Sequence, residues 1–162
     1  MFFPPSPRFV PPEQAAALAA RAPHIRRVGV FVDADDALLE SAIRAGKLDV
    51  VQAQGRESPE RLAAIKGRFG IEVWKAVGVQ SSADLAAAER AAAGADALLL
   101  PARAAPGADL PGGNGLRFDW RILAERRPAM PFVLAGGLSA ENVGEAIRLT
   151  SAPFVDVSSV VE

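Results

Sequence analysis

Short apolar segments recur along the chain, and each is followed by a turn and then by an alanine-rich stretch. The segments are rich in Val, Leu and Phe and are largely apolar on both faces. This pattern is typical of parallel strands that are covered on both sides. We therefore predict six strands, at Val28–Val32, Asp49–Gln52, Glu72–Val77, Ala97–Leu100, Phe132–Ala135 and Phe154–Val157.

The stretches between the strands carry the signals with which helices begin and end. Pro12 with Glu13 suits a first turn, and Ser58 followed by Pro59 suits an N-cap and the first helical position. Two further serines precede an acidic residue and predict helix starts in the same way. These are Ser82 and Ser139, and the predicted helix ends are Gly46, Gly70 and Gly94.

Strands that alternate with helices predict βαβ units with right-handed crossovers. Eight units of this size need more residues than the 162 of the chain, which opens on a loop and ends just after a strand. Residues Met1–Phe3 can form the tail of a further strand. We predict an α/β fold of the (βα)8 TIM-barrel type with a parallel sheet, incomplete because its first strand and last helix are missing. Residues 1–162 then form a single partial barrel domain, and the alternative is a complete open sheet of six strands.

Composition narrows the class of protein. The formal net charge is −1 and no run of Lys or Arg exceeds two residues, which argues against nucleic acid or an anionic membrane as a partner. The absence of Cys excludes disulfides, thiolate metal sites and a thiol nucleophile within these residues. No apolar run is long enough to span a bilayer, and the start of the chain lacks the features of a signal peptide. We expect a cytoplasmic protein.

The candidate binding site lies at the carboxyl ends of the strands, where such folds hold their ligands. Gly136 and Gly137 follow a predicted strand, and Ser139 is expected to open a helix whose positive end faces an anion. Ser158 and Ser159 follow the next strand and offer hydroxyl and backbone N–H groups. Because the two loops are neighbours in a barrel, they predict a phosphate site.

Other polar residues are sorted by the same rule. Gln54 and Arg56 follow a strand, and Arg8 is a candidate partner for a carboxylate because its guanidinium binds carboxylates in bidentate fashion. His24 precedes a strand and is expected at the opposite end. Lys75 lies within a strand, and the pattern leaves open whether it points inward or toward the helices. The glycine-rich loop at residues 106–115, with Gly112 and Gly113, is a candidate lid or a plain surface insertion.

Several segments, in order along nearly the whole chain, resemble phosphoribosylanthranilate isomerase, a (βα)8-barrel enzyme of tryptophan biosynthesis. The resemblance implies an aldose–ketose isomerase that catalyses an Amadori rearrangement of N-(5-phosphoribosyl)anthranilate, without metal or organic cofactor. The segments are Ser6–Ala15, Val28–Val32, Val51–Gly55, Pro111–Gly115, Phe118–Trp120, Leu134–Val143 and Val155–Ser159.

The resemblance also implies roles. Arg8 would hold the anthranilate carboxylate, and the phosphate would bind at Gly136, Gly137, Ser158 and Ser159. Further substrate contacts would come from Gln54 and from the loop that contains Gly112 and Gly113. An Asp at the end of the sixth family strand would serve as the acid, and a Cys in the first family strand would serve as the base.

Departures from the family pattern affect the catalytic groups. No Cys is present, and Pro101 occupies the position expected of the acid, so no catalytic residue is intact. Gln54 replaces the usual His, and Val160 replaces a glycine after the serine pair. Loss of a general acid or base typically lowers a rate by about 10²–10⁴-fold.

Three functions remain open on the sequence. They are an isomerase whose missing segments are supplied elsewhere, a catalytically silent phosphate-binding relative, and another phosphate-binding barrel enzyme such as a histidine-pathway isomerase. The Ser6–Gln14 motif and Phe118–Trp120 argue against the last. Open sheet edges predict self-association.

Overall fold

The computed structural model describes residues 1–101 and 119–158. Within these residues the chain alternates helices and strands, as the apolar pattern predicts. The helices are α1 (Pro12–Arg21), α2 (Asp36–Gly46), α3 (Pro59–Phe69), α4 (Ser82–Ala91), α5 (Arg121–Glu125) and α6 (Val143–Thr150). The strands are β1 (Val28–Phe31), β2 (Val50–Ala53), β3 (Glu72–Ala76), β4 (Ala97–Leu100), β5 (Phe132–Leu134) and β6 (Phe154–Val155).

The described strands form one parallel sheet in the order β1-β2-β3-β4-β5-β6, which is the order of the sequence. Each strand pairs with the next, for example Val50 with Glu72 and Leu98 with Phe132. An open doubly wound sheet would require a reversal of strand order, and none occurs among these strands. The prediction of an incomplete (βα)8-type sheet is therefore confirmed.

The two faces of the sheet have different partners. Residues of α2 and α3 pack with Phe31, Val51 and Val73 on one face, and residues of α4, α5 and α6 continue that core beside β4 and β5. The opposite face carries a smaller cluster made by residues of β3, β4 and β5 and by Ala135, which directly follows β5. We call this second surface the concave face; it includes Trp74, Ala76, Leu99, Val133 and Ala135.

Two of the predicted helix starts are confirmed in detail. Ser58 caps α3 by accepting a hydrogen bond from Arg61 N, with Pro59 at the first helical position. α1 has Pro at its start, followed by Glu13. The start of α4 is shifted by one residue, because Ser81 rather than Ser82 accepts the bond from Asp84 N and closes a reciprocal capping box.

The predicted helix ends hold for two of the three glycines. Gly70 adopts φ 60° and caps α3 in the left-handed region. Gly46 is the last residue of α2, and the left-handed cap of that helix falls on the next residue, Lys47, at φ 47°. α4 ends at Ala91, before Gly94.

The edges of the described sheet differ in how well they are covered. Phe2 N donates to Val30 O at 2.8 Å, so residues 1–3 lie beside β1 as predicted. Phe2 is 5% exposed. At the other edge, β6 is short, and Phe154 and Val155 remain 52% and 38% exposed.

Candidate functional site

The carboxyl ends of all six described strands lie at one end of the sheet because the strands are parallel. Asp33 follows β1, Gln54 follows β2, Pro101 follows β4, Gly136 follows β5 and Asp156 follows β6. This end of the sheet therefore gathers Gln54, Gly136 and Pro101, which the sequence singled out, together with Asp33 and Asp156, which it did not.

Gly136 and Gly137 form a turn that only glycine adopts readily. Their φ angles are 87° and 69°, in the left-handed region that costs an L-residue about 1–2 kcal/mol. The side chain of Asn142 closes the turn: its Oδ1 accepts from Ser139 N at 2.8 Å, and its Nδ2 donates to Gly137 O at 2.9 Å.

The prediction that Ser139 opens a helix is wrong. α6 begins at Val143, and Asn142 at its N-cap makes no side-chain capping bond because its amide is used by the preceding turn. The Ser139 hydroxyl also bonds the Glu141 carboxylate, which holds the pKa of Glu141 below its usual value. An anion near this turn would therefore meet backbone groups of the glycines and one nearby negative charge.

β6 places Asp156 and Ser158 beside this glycine turn. Asp156 N donates to Leu134 O at 2.8 Å, which holds the loop after β6 against the end of β5. Ser158 follows two residues later and is exposed, whereas Ser159 and Val160 lie outside the described residues. The predicted convergence of the two loops is present as far as Ser158.

Asp156 also lies at this site, although the sequence pattern had not indicated a functional role for it. The residue retains an exposed surface, yet surrounding protein atoms desolvate its carboxyl group, and this raises the pKa of Asp156 above the ordinary value. The signal available in sequence was an acid at a strand end, next to the serine pair.

Arg8 lies in the turn between residues 1–3 and α1. The turn is held by Ser6 N bonding Phe3 O at 2.9 Å and by Arg8 N bonding Ser6 Oγ at 3.2 Å. Because residues 1–3 lie beside β1, Arg8 is anchored near that edge of the sheet. Ser6 is buried and supplies the anchor.

Gln54 and Arg56 lie in the turn between β2 and α3. Gln54 N donates to Phe31 O at 2.8 Å, so the turn starts as a continuation of the sheet. Arg56 N donates to Asp33 Oδ1 at 2.6 Å, which ties this turn to the one after β1. The side chain of Arg56 is 95% exposed.

Lys75 points toward the helices and not into the concave face; the sequence pattern had left both directions open. Its side chain is 5% exposed, and Nζ donates to Gly55 O at 2.7 Å and to Glu57 Oε2 at 2.9 Å. Glu57 is equally buried, at 4% exposed. The sequence did not indicate a role for Glu57, because its partner Lys75 is 18 residues away along the chain.

Pro101 directly follows β4 at the end of the sheet where ligands are expected. Its ring carries no titratable group. Residues 102–118 lie outside the described part of the chain, and with them the predicted substrate loop and its Gly112 and Gly113.

His24 is exposed and precedes β1, at the opposite end from these residues, as predicted. In residues 1–101 and 119–158, no three or more His, Asp or Glu side chains group together in a way that could hold a metal ion. No helix in the same ranges has the length and apolar character needed to cross a bilayer.

Comparison with protein families gives one match along the whole chain. Residues 1–162 match the family described as N-(5'phosphoribosyl)anthranilate (PRA) isomerase. The N-(5'-phosphoribosyl)anthranilate isomerase of Paracoccus denitrificans is 53% identical over 163 residues, which cover 100% of this chain and 76% of that protein. The enzyme of the same name from Paramagnetospirillum magneticum is 50% identical with the same coverage.

Solved structures agree with the family match. Phosphoribosyl anthranilate isomerase from Thermotoga maritima superposes with a TM-score of 0.81 at 34% identity, covering 99% of this chain and 76% of that one. A second solved structure, with a TM-score of 0.77 at 34% identity, is the isomerase in complex with reduced 1-(o-carboxyphenylamino)-1-deoxyribulose 5-phosphate. This chain covers 74% of that structure, and 99% of this chain is matched.

Proposed function

Because the chain belongs to the N-(5'-phosphoribosyl)anthranilate isomerase family, we propose that its site binds the phosphorylated ribosyl-anthranilate substrate of tryptophan biosynthesis. The described glycine turn carries this proposal, since a Gly136–Gly137 backbone in the left-handed region lets a phosphate approach main-chain N–H groups closely. The complex of a related isomerase with a phosphate-bearing analogue supports the same ligand class.

The substrate is oriented by its two anionic groups. The phosphate lies at Gly136, Gly137, Ser158 and Ser159, and the anthranilate carboxylate pairs with Arg8, whose turn is anchored beside β1. Further contacts in this proposal come from Gln54, Gly112 and Gly113.

The isomerisation needs a general acid and a general base. A general acid protonates the furanose ring oxygen, the bond between that oxygen and C1′ breaks, and the anthranilate nitrogen lone pair forms the Schiff base. A general base then removes the C2′ proton, and the electron pair returns to nitrogen to give an enolamine. Protonation at C1′ and loss of the hydroxyl proton yield the ketose.

A second candidate function, ligand binding without turnover, is favoured by Pro101. That residue stands where the family resemblance places the acid, and the 162 residues contain no Cys to serve as the base. We propose that these residues, taken alone, bind the substrate class and do not complete the rearrangement.

The test uses reduced 1-(o-carboxyphenylamino)-1-deoxyribulose 5-phosphate in isothermal titration calorimetry. Saturable one-to-one binding that is weakened by Gly137→Val supports the binding proposal. A matched Gly67→Ala variant, on the solvent side of α3, should bind as the original chain does. Absence of binding by the correctly folded chain would contradict the proposal.

We also propose self-association of this chain through the edge formed by β6. A strand without a second neighbour among the described residues presents unpaired backbone groups, and Phe154 and Val155 add exposed apolar surface. A second copy offers the same edge and can pair with it. Sedimentation should show dimers or larger species that Val155→Lys reduces and that Leu18→Lys, on α1, leaves unchanged; a stable monomer for the unmodified chain refutes this.

A further inference from the structure

A buried ion pair lies beneath the turn that joins β2 to α3. Lys75 Nζ and Glu57 Oε2 are 2.9 Å apart, and both side chains are at least nine-tenths buried. Lys75 shares its strand face with Val73, which packs against the helices, so neither charge points into the concave face. The pair therefore does not lie where a ligand would contact it.

The Glu57 carboxylate connects three segments at the ligand end of the sheet. Its Oε1 accepts from Asp33 N at 2.8 Å and from Gly55 N at 3.2 Å, while its Oε2 accepts from Lys75. The Lys75 ammonium donates a second bond to Gly55 O. One buried carboxylate thus fixes the turn after β1 and the turn after β2 to each other and to β3.

The two turns fit closely around these bonds. Asp33 has φ 48°, in the left-handed region that Asp adopts more readily than most residues because its short side chain can bond nearby backbone groups. Its Oδ1 accepts from Arg56 N, and a Cβ added to Gly55 would lie 2.6 Å from Asp33 N. Small displacements of either turn are therefore resisted.

Stability alone does not explain the pair. Removing two charges from water is costly, and replacing a buried ion pair by apolar residues of similar size is often neutral or stabilising. Apolar residues at these two positions would not make the hydrogen bonds that hold Gly55 and its neighbours in place.

We propose that Glu57 and Lys75 are positioning residues that hold Gln54 and its turn in the geometry that binds the anthranilate end of the ligand. This rests on the proposed function of the site. The prediction is that loss of the pair reduces affinity for a complete ligand while leaving phosphate binding at the distant glycine turn intact.

The variant E57M/K75M removes both charges and their hydrogen bonds, and its two Met side chains fill a similar volume. We expect it to fold and to bind reduced 1-(o-carboxyphenylamino)-1-deoxyribulose 5-phosphate about 10- to 100-fold more weakly, as misplaced contacts do. Its affinity for inorganic phosphate should not change. The amide hydrogens of Gly55 and Arg56 should exchange faster.

Two further variants separate positioning from folding. E57Q/K75M keeps an amide oxygen that can accept from Asp33 N and Gly55 N, and it should recover most of the lost affinity. K66M breaks the Lys66–Asp96 ion pair, which also joins two elements but lies at the opposite end of the sheet, and it should not affect binding. If E57M/K75M does not fold, E57Q alone is compared with K66M by the same measurements.

The outcomes distinguish this inference from the proposed function. Unchanged analogue affinity and unchanged exchange at Gly55 and Arg56 in a folded E57M/K75M would overturn the inference. If the unmodified chain binds no analogue, the proposed function fails, and the exchange rates alone decide whether the pair holds the turn. An equal loss of phosphate and analogue affinity would indicate general loosening and also overturn the inference.

Discussion

Phe2 stacks on Phe31, with ring centroids 5.0 Å apart and ring planes 14° from parallel. Phe31 is the last residue of β1 and is fully buried, so the first residues of the chain complete the core at that edge of the sheet. The contact joins the segment that leads to Arg8 with the strand that leads to Asp33. The stability lost when this ring contact is removed therefore measures how strongly residues 1–3 are held against β1.

We expect Phe2→Ala to lower the free energy of unfolding by about 3 kcal/mol, because it leaves a cavity against Phe31. Phe9→Ala is the control, since that ring is 38% exposed and should cost less than about 1 kcal/mol. Urea denaturation followed by circular dichroism measures both. Equal costs for the two variants would contradict the proposed closure of this edge.

Gly137→Ala should destabilise the chain by about 1–2 kcal/mol because φ at this position is 69°. The same change should weaken phosphate binding, since the turn must shift to relieve the strain. Gly67→Ala is the matched change in a helix with open space around the new methyl group, and it should stabilise by about 0.5–1 kcal/mol. Thermal unfolding and phosphate titration, observed through amide shifts, test the pair.

Asp156→Asn should raise stability at neutral pH. The pKa of Asp156 is raised in the folded chain by desolvation, so the folded state binds the proton more tightly than the unfolded state. Stability is then lost as the pH rises from the unfolded pKa through the folded pKa. The gain in Tm from Asp156→Asn should be present above this window and vanish below it.

Glu141→Gln gives the opposite sign and serves as the comparison for Asp156. The pKa of Glu141 is lowered by the Ser139 hydroxyl, so its contribution is present at neutral pH and is lost as the pH falls through the folded pKa. Glu141→Gln should therefore lower Tm slightly at neutral pH and have no effect in acid. Differential scanning calorimetry across pH distinguishes the two carboxylates.

The 162-residue chain should show no isomerase turnover, and Pro101→Asp alone should not restore it. An Asp at this position could protonate the furanose oxygen, but no residue here corresponds to the family's base. Fusion to a family-like first strand that carries the Cys supplies a base and leaves the acid missing. Groups that act as a unit are strongly non-additive, so we expect turnover only when both changes are combined.

The four proteins are assayed on freshly prepared phosphoribosylanthranilate, with product measured by chromatography. Val160→Gly and Gln54→His can be added to the combined variant to raise its rate. Turnover by the unmodified chain would require an acid and a base other than the family's, and it would refute the assignment of a silent site.

The sequence was a good guide to the strands and a poorer one to the turns. β4, at Ala97–Leu100, was predicted to the residue because it is apolar on both faces and lies between Asp96 and Pro101. The start of α6 was predicted too early because serine is a common N-cap residue. In the structure the side-chain amide of Asn142 bonds Ser139 N and Gly137 O, and the helix begins only after it. Competition between side chains for the same backbone groups is not visible in composition.

The pairing of Glu57 with Lys75 could not be predicted from spacing either. It depends on which face of β3 Lys75 occupies and on the turn that returns Glu57 beneath β2. Both follow from strand register, which the apolar pattern leaves free where both faces are buried. The prediction that residues 1–162 form one domain stays a prediction; a single cooperative unfolding transition would support it.

The sequential strand order has a consequence for how the chain folds. Each described strand pairs with the strand before it, so every pairing closes a loop of one crossover and none waits for a distant segment. During synthesis a new βα unit can therefore dock as soon as it leaves the ribosome, onto an edge that already exists. The growing edge is exposed at every stage, and β6, with Phe154 and Val155 partly exposed, has the same character as such an intermediate. Chaperone dependence in the cell should accordingly follow the surface of that edge more closely than overall stability.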